Sequence, residues 1–192
     1  MLDSGAMYRA VTLLVLQEGR DPMNEADTAA AARRADIQFD FSDGQRVLLN
    51  NMDVTDQIRT VEVTRNIAPI AGNPKVRAVL VEKQQQLGKN GGIVMEGRDI
   101  GTVVFPDAEL KVYMKASIKE RAKRRLAQLA ANRTSINLAT LEQDIRHRDE
   151  SDMNRQYGAL KIAQDALIID TSTLTLEDQV KLVVDEAKRR GA

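Results

Sequence analysis

Apolar residues recur at helical spacing from the start of the chain. Met7, Val11, Leu14 and Val15 fall on one face of a helix that Ser4 is placed to cap, after a strand-like residue, and that Gly19 is placed to end. A second helix is predicted over residues 25–35, where the run AAAARRA carries no further signal. The period then changes from helical to alternating. Ile37, Phe39 and Phe41 alternate with polar residues, Asp43-Gly44 supplies a hairpin turn, residues 46–50 return as a second strand, and 52–55 suggest a third. This is a small antiparallel sheet inserted on a larger body. Residues 58–71 read as helical up to Pro69. Pro74, at a first helical position, opens a helix over 75–87 with Val76, Val79, Leu80 and Leu87 inward and Gly88 just past its end.

The last third alternates strand and helix. A short buried strand over 93–95 runs into Glu96-Gly97-Arg98-Asp99, and a second strand covers 110–115. Ser117 and Glu120 form a capping box opening a helix that carries Arg121, Arg124 and Arg125. Residues 132–137 break this helix, and another runs over 138–155. A third strand covers 166–170, and Thr175 caps a closing amphipathic helix with Leu176, Val180, Val183, Val184 and Ala187 inward. Strands separated by helices predict an α/β fold with a parallel sheet covered on both faces. Ligands of such sheets bind beyond the carboxyl ends of the strands. Gly97-Arg98-Asp99 and the opening Asp3-Ser4-Gly5 both sit at such ends.

Composition narrows the chemistry. With 43% hydrophobic and 3% aromatic residues, the core is aliphatic, and 192 residues suit one domain with insertions. Basic and acidic residues number 28 each, which argues against a broadly electropositive nucleic-acid binder but leaves room for a local cationic pocket. There is no cysteine and one histidine, His147, so disulfides, thiolate metal sites, a cysteine nucleophile and a multi-histidine metal site are excluded. No apolar run approaches the roughly 20 residues needed to span a bilayer, and no signal peptide opens the chain, so a cytoplasmic protein is expected.

Candidate functional residues are mostly arginines. Read as helix, Arg148, Asp152 and Arg155 fall at i, i+4 and i+7, and a stripe of two guanidinium groups around a carboxylate suits a nucleotide: forked cations grip phosphate, and the acid accepts from sugar hydroxyls. Each cluster also has a bland alternative. The stripe equally describes a solvated helix laced with ion pairs, Gly97-Arg98-Asp99 a surface turn, and Arg121, Arg124 and Arg125 a basic solvent face. Arg9 and Arg77 are uninformative one by one, and Tyr8 is more often a packing residue. Together, arginines at strand ends and on adjoining helices, with no nucleophile pair, fit phosphoryl transfer, which needs positioning and charge neutralisation more than covalent chemistry.

The order of motifs is more specific. LDSGAMYRA (2–10), GRDIGTVVFPDAELKVYMKAS (97–117) and RHRDESDMNR (146–155) resemble bacterial cytidylate kinase, the CMP/dCMP kinase family, in order across essentially the whole chain. The resemblance implies a P-loop NTPase-like parallel sheet flanked by helices, with the β insertion at 36–58 serving nucleoside-monophosphate binding and 127–141 forming a helical lid. It implies transfer of a phosphoryl group from ATP, as co-substrate with Mg²⁺, to CMP or dCMP, by a monomer that takes small nucleotides and no nucleic acid. Arg9, Arg98 and Arg148 would hold the acceptor phosphate. Asp152 and Arg155, with Tyr8, would contact the sugar, and Ser4 would line the acceptor pocket. Arg77 and Asp99 would read cytosine, and Arg121, Arg124 and Arg125 would close over the ATP phosphates.

Two departures follow. Ala68 stands where the family usually has a serine near the base, removing a hydrogen bond worth roughly 1 kcal/mol. Relatives place a strand, a Gly-rich phosphate loop with its lysine and a helix ahead of LDSGA, and no G-x-x-x-x-G-K-[ST] occurs in these 192 residues. The expectation is therefore a chain begun at an internal Met, or a truncated copy, whose phosphoryl transfer is impaired. The rival expectations are a non-catalytic CMP-binding remnant, a UMP or AMP kinase sibling, and an RNA-binding module using the arginine helices.

Overall fold

The computed structural model describes residues 1–191 apart from Asp43 and residues 132–136, so the predicted turn at Asp43, most of the 132–137 break and the middle of the proposed lid lie outside the described residues. The chain divides into two compact units. One comprises Met1–Val104 with Gln156–Gly158, and the other Phe105–Arg155 with Ala159–Ala192.

The first unit is built around α1 (Ser4–Gln17). Ala6, Met7, Ala10, Val11 and Val15 are fully buried, wider than the predicted stripe, because α2 (Glu25–Arg34), α3 (Val61–Gly72) and α4 (Pro74–Gly88) all pack against this one helix. Its N-cap is Asp3 and not Ser4: the Asp3 carboxylate accepts from the Ala6 N–H at 3.2 Å. The shift has a cause in the sheet. Strand β1 (Leu2–Asp3) pairs in parallel with β5 (Met95–Glu96), so Asp3 is the last extended residue and Ser4 the first helical one.

The insertion is the expected antiparallel sheet, with β2 (Ile37–Asp40), β3 (Arg46–Leu49) and β4 (Met52–Asp53) in that order. The third strand is shorter than predicted because Asp53 turns the chain, its carboxylate accepting from the Thr55 N–H and hydroxyl. Asn50 and Asn51 make the β3–β4 turn with φ of 50° and 65°, a left-handed pair that asparagine tolerates best among non-glycine residues.

The predicted helix from 58 to Pro69 is displaced. A 3-10 turn over Gln57–Arg59 comes first, Thr60 caps α3, and the helix runs through Pro69 to Gly72. Pro69 lies in the last turn, where its missing N–H costs a single intrahelical bond. Helix α4 begins at Pro74 as expected, but Leu87 is exposed, while Arg77 and Gln84 are buried with Val76 and Leu80. The strand predicted at 93–95 forms only over Met95–Glu96, and Val94 faces solvent.

In the second unit β6 (Val112–Lys115) and β7 (Leu167–Asp170) pair in parallel, and α5 (Ile118–Ala131) packs against α6 (Leu138–Met153). Only half of the Ser117/Glu120 box is made. The Ser117 hydroxyl accepts from the Glu120 N–H at 3.2 Å, but the Ser117 N–H donates to Ser172 and the Glu120 carboxylate turns to Lys123. Helix α6 ends at Met153, so Arg155 lies beyond it. The closing helix, α7 (Leu176–Arg189), has a full capping box at Thr175 and Asp178. Its apolar face is inward only in part: Val183 and Ala187 are half-buried, but Leu176 is 70% and Val180 54% exposed, and Val184 is exposed too.

The α/β class therefore holds, with parallel strands and accompanying helices, but the expected single doubly covered sheet is two parallel pairs among the described residues. Ile168 and Met114 remain exposed. No helix among the described residues is long and apolar enough to cross a membrane.

Candidate active site

In the first unit, the carboxyl ends of β1 and β5 bring Asp3-Ser4 beside Glu96-Gly97-Arg98-Asp99. Ser4 is buried, and its hydroxyl occupies the space a Cβ on Gly97 would take, so this close approach requires glycine. Asp99 then turns back into the protein. Its carboxylate forms a short ion pair with the Arg77 guanidinium, the two side chains only 8% and 7% exposed. Arg77 also donates to the Ala71 carbonyl at 3.3 Å, and its guanidinium carbon lies 5.6 Å from the centre of the Tyr8 ring. Gly158, at φ 62°, presses on the same guanidinium, leaving no room for a side chain.

Arg9 stands on the second turn of α1. It donates to the Ile58 carbonyl at 3.1 Å and to the Thr64 hydroxyl at 3.0 Å. Arg98 lies on the exposed side of its loop, in the field of Glu96. The Glu96 carboxyl titrates above the usual glutamate value, first because crowding strips solvent from it and next because Asp3 is its neighbour in the ladder; Arg59 and Arg98 oppose the shift.

A raised native pKa means that the folded state holds the Glu96 proton more readily. This carboxyl therefore favours folding most below the ordinary carboxylate range and least once pH rises through its raised native value. Glu96→Gln is expected to raise the melting temperature by about 1–3 °C at pH 7, a small shift because the group is partly solvated, and by nothing at pH 4. Thermal melts at the two pH values check this. An equal shift at both would show that the carboxyl's charge is not the cause.

In the second unit, Asp152 is the buried centre. Its side chain is 2% exposed, with Arg155 Nη2 at 2.5 Å from one oxygen and Arg148 Nε at 4.0 Å from the other. The helical register predicted for this trio is corrected: Arg155 reaches Asp152 from beyond the helix end, where the Asp152 carbonyl also accepts from the Leu160 N–H at 2.8 Å.

The three arginines of α5 diverge. Arg121 makes a two-pronged pair with Asp149 at 2.9 and 2.6 Å, and this hydrogen-bonded carboxylate pushes its pKa further up. Arg124 donates to the Thr171 carbonyl and hydroxyl, and Arg125 is exposed near Gln128.

Within the first unit the structure thus joins Tyr8, Arg77 and Asp99, and Ser4 with Gly97. Within the second it joins Arg148, Asp152 and Arg155. Sequence reasoning gave no role of their own to Asp149, Thr171, Asp3, Glu96 and Arg59. Asp149 lies inside the run RHRDESDMNR, and Asp3 and Glu96 are acids at the ends of two apolar strands; Thr171 and Arg59 carried no signal.

The model of one protein family, described as cytidylate kinase, matches residues 1–189. The cytidylate kinase of Bacillus subtilis (strain 168) is 41% identical over 191 residues, covering 99% of this chain and 85% of the relative. Cytidylate kinase 1 of Haemophilus influenzae is 43% identical over 192 residues, covering all of this chain and 83% of the relative. A bifunctional pantoate ligase/cytidylate kinase of Trichodesmium erythraeum is 44% identical over 185 residues; this chain spans 35% of that protein's length.

Proposed function

The chain belongs to the cytidylate kinase family, and from that membership we propose that it transfers the γ-phosphoryl group of ATP to CMP or dCMP in the cytoplasm. The observation that carries the choice of base is the buried Arg77–Asp99 pair under Tyr8. Cytosine presents an exocyclic N–H₂ donor next to ring acceptors, and a carboxylate beside a guanidinium supplies the matching acceptor and donor. Uracil would set a carbonyl against the carboxylate.

The remaining roles follow the same proposal. Arg9, Arg98 and Arg148 hold the acceptor phosphate, Ser4 lines its pocket, and Tyr8, Asp152 and Arg155 place the sugar. Arg121, Arg124 and Arg125 serve the ATP phosphates, for which Arg121 and Arg124 would exchange their present protein partners for phosphate oxygens. Residues 36–58 act as part of the monophosphate-binding insertion and 127–141 as the lid. No strong base is required, since the nucleophile is already a phosphate oxygen; the residues orient two phosphates in line and neutralise charge as it develops. Mg²⁺ would supply further neutralisation. Among the described residues no group of three or more histidines or acids could hold it, so its ligands would be phosphate oxygens and water with few protein atoms.

Equilibrium titration tests the proposal. CMP is expected to bind at least about tenfold more tightly than UMP or AMP, the cost of leaving a buried acceptor mispaired. Equal affinities for the three would overturn the assignment.

A further inference from the structure

Resting on that function, we infer that Arg59 is a further arginine of the acceptor-phosphate site, held by Asp3 in the free protein and turned onto the phosphate when CMP binds. Its position is set by the 3-10 turn Gln57–Arg59. The middle residue, Ile58, is fully buried, and its carbonyl accepts from Arg9. The turn is thereby pinned to α1, and Arg59 emerges where β1 ends and α1 begins.

The hold on Arg59 differs from that on Arg77. Arg59 Nη2 stands 3.8 Å from Asp3 Oδ2, beyond direct hydrogen-bond distance, and its side chain is 61% exposed. Asp3 spends its other oxygen on the Ala6 N–H. A loosely held, exposed guanidinium is available to an incoming dianion, whereas one locked in a buried pair is not. The helix start beside it adds oriented N–H groups that favour an anion.

A second line of support comes from Glu96, which faces Asp3 across the β1–β5 ladder. The same two cations, Arg59 and Arg98, stabilise its charged form. The proposed phosphate ligand Arg98 and the unassigned Arg59 therefore share one acidic neighbourhood. In the free protein Asp3 and Glu96 supply counter-charge to this neighbourhood, and a phosphate with its paired oxygens suits the forked donors better.

The discriminating test compares two substitutions that break the same ion pair. Arg59→Ala removes the cation; Asp3→Asn removes the anion while keeping a side-chain cap, since asparagine caps helices as well as aspartate does. If the pair only braces the fold, both should change CMP affinity in the same direction. With Arg59 on the phosphate, Arg59→Ala is expected to weaken CMP about 20-fold and cytidine less than about threefold, whereas Asp3→Asn is expected to tighten CMP by about two- to fivefold. Arg59→Lys, which keeps charge without the fork, is expected to fall between, and it carries the test if Arg59→Ala does not fold. Equal losses for CMP and cytidine, or both variants moving CMP the same way, would overturn the inference. Failure of the unsubstituted protein to bind CMP would instead overturn the proposed function itself.

Discussion

Replacing Asp99 by alanine is expected to lower the unfolding free energy by about 3–5 kcal/mol, because it leaves the Arg77 guanidinium buried without its counter-charge. Arg77 cannot readily escape to water: the Tyr8 ring lies on one side and Gly158 presses on the guanidinium. Asp99→Asn keeps the shape and one acceptor oxygen, so its cost should be nearer about 1–3 kcal/mol. Its larger effect falls on recognition. An amide offers a donor as well as an acceptor, so the preference for CMP over UMP should shrink by about tenfold. Urea unfolding and parallel CMP and UMP titrations read the two effects separately. A change below about 1 kcal/mol for Asp99→Ala would show that the pair is not buried in solution, and unchanged selectivity in Asp99→Asn would remove Asp99 from the base site.

The second large effect is expected at Asp152. This acid sits in the last turn of α6, near the negative end of the helix dipole, and is 2% exposed, two circumstances that oppose a negative charge. It is tolerable because Arg155 lies 2.5 Å away and Arg148 adds a weaker attraction at 4.0 Å. Asp152→Ala therefore strands Arg155 and releases the carboxylate proposed to accept from the sugar hydroxyls. CMP affinity should fall about 100-fold, the range for truncating one partner of a buried charge pair at a binding site, and cytidine should lose affinity too, because the contact is to the sugar. A loss confined to CMP would move Asp152 from the sugar to the phosphate. A loss below about fivefold would remove it from the site.

Local chemistry was readable along the chain wherever its cause was local. Pro74 at a helix start, the N-cap at Thr175 and the alternation of Ile37 and Phe39 each depend on a few neighbouring residues, and each formed where expected. Family membership was also carried by short runs, LDSGAMYRA and GRDIGTVVFPDA above all. The failures share a different origin. The Ser4 cap gave way to Asp3 because β1 pairs with a strand more than ninety residues later. The acid that Arg121 meets in the free protein was hidden for the same reason, since Asp149 engages it from 28 residues away.

By itself, the sequence determined the α/β class, the kinase family, the order of the elements and which residue types could meet a nucleotide, because period, capping and motif are properties of consecutive residues. Only the tertiary structure decided which cation pairs with which acid, that Arg77 and Asp99 are locked together while Arg59 is loosely held, and that Leu176, Val180 and Val184 of α7 are left exposed. Periodicity shows that a helix has an apolar face but not what covers it. A charge meets its partner only after loops have closed over tens of residues, so its strength depends on a burial that no short stretch of chain contains.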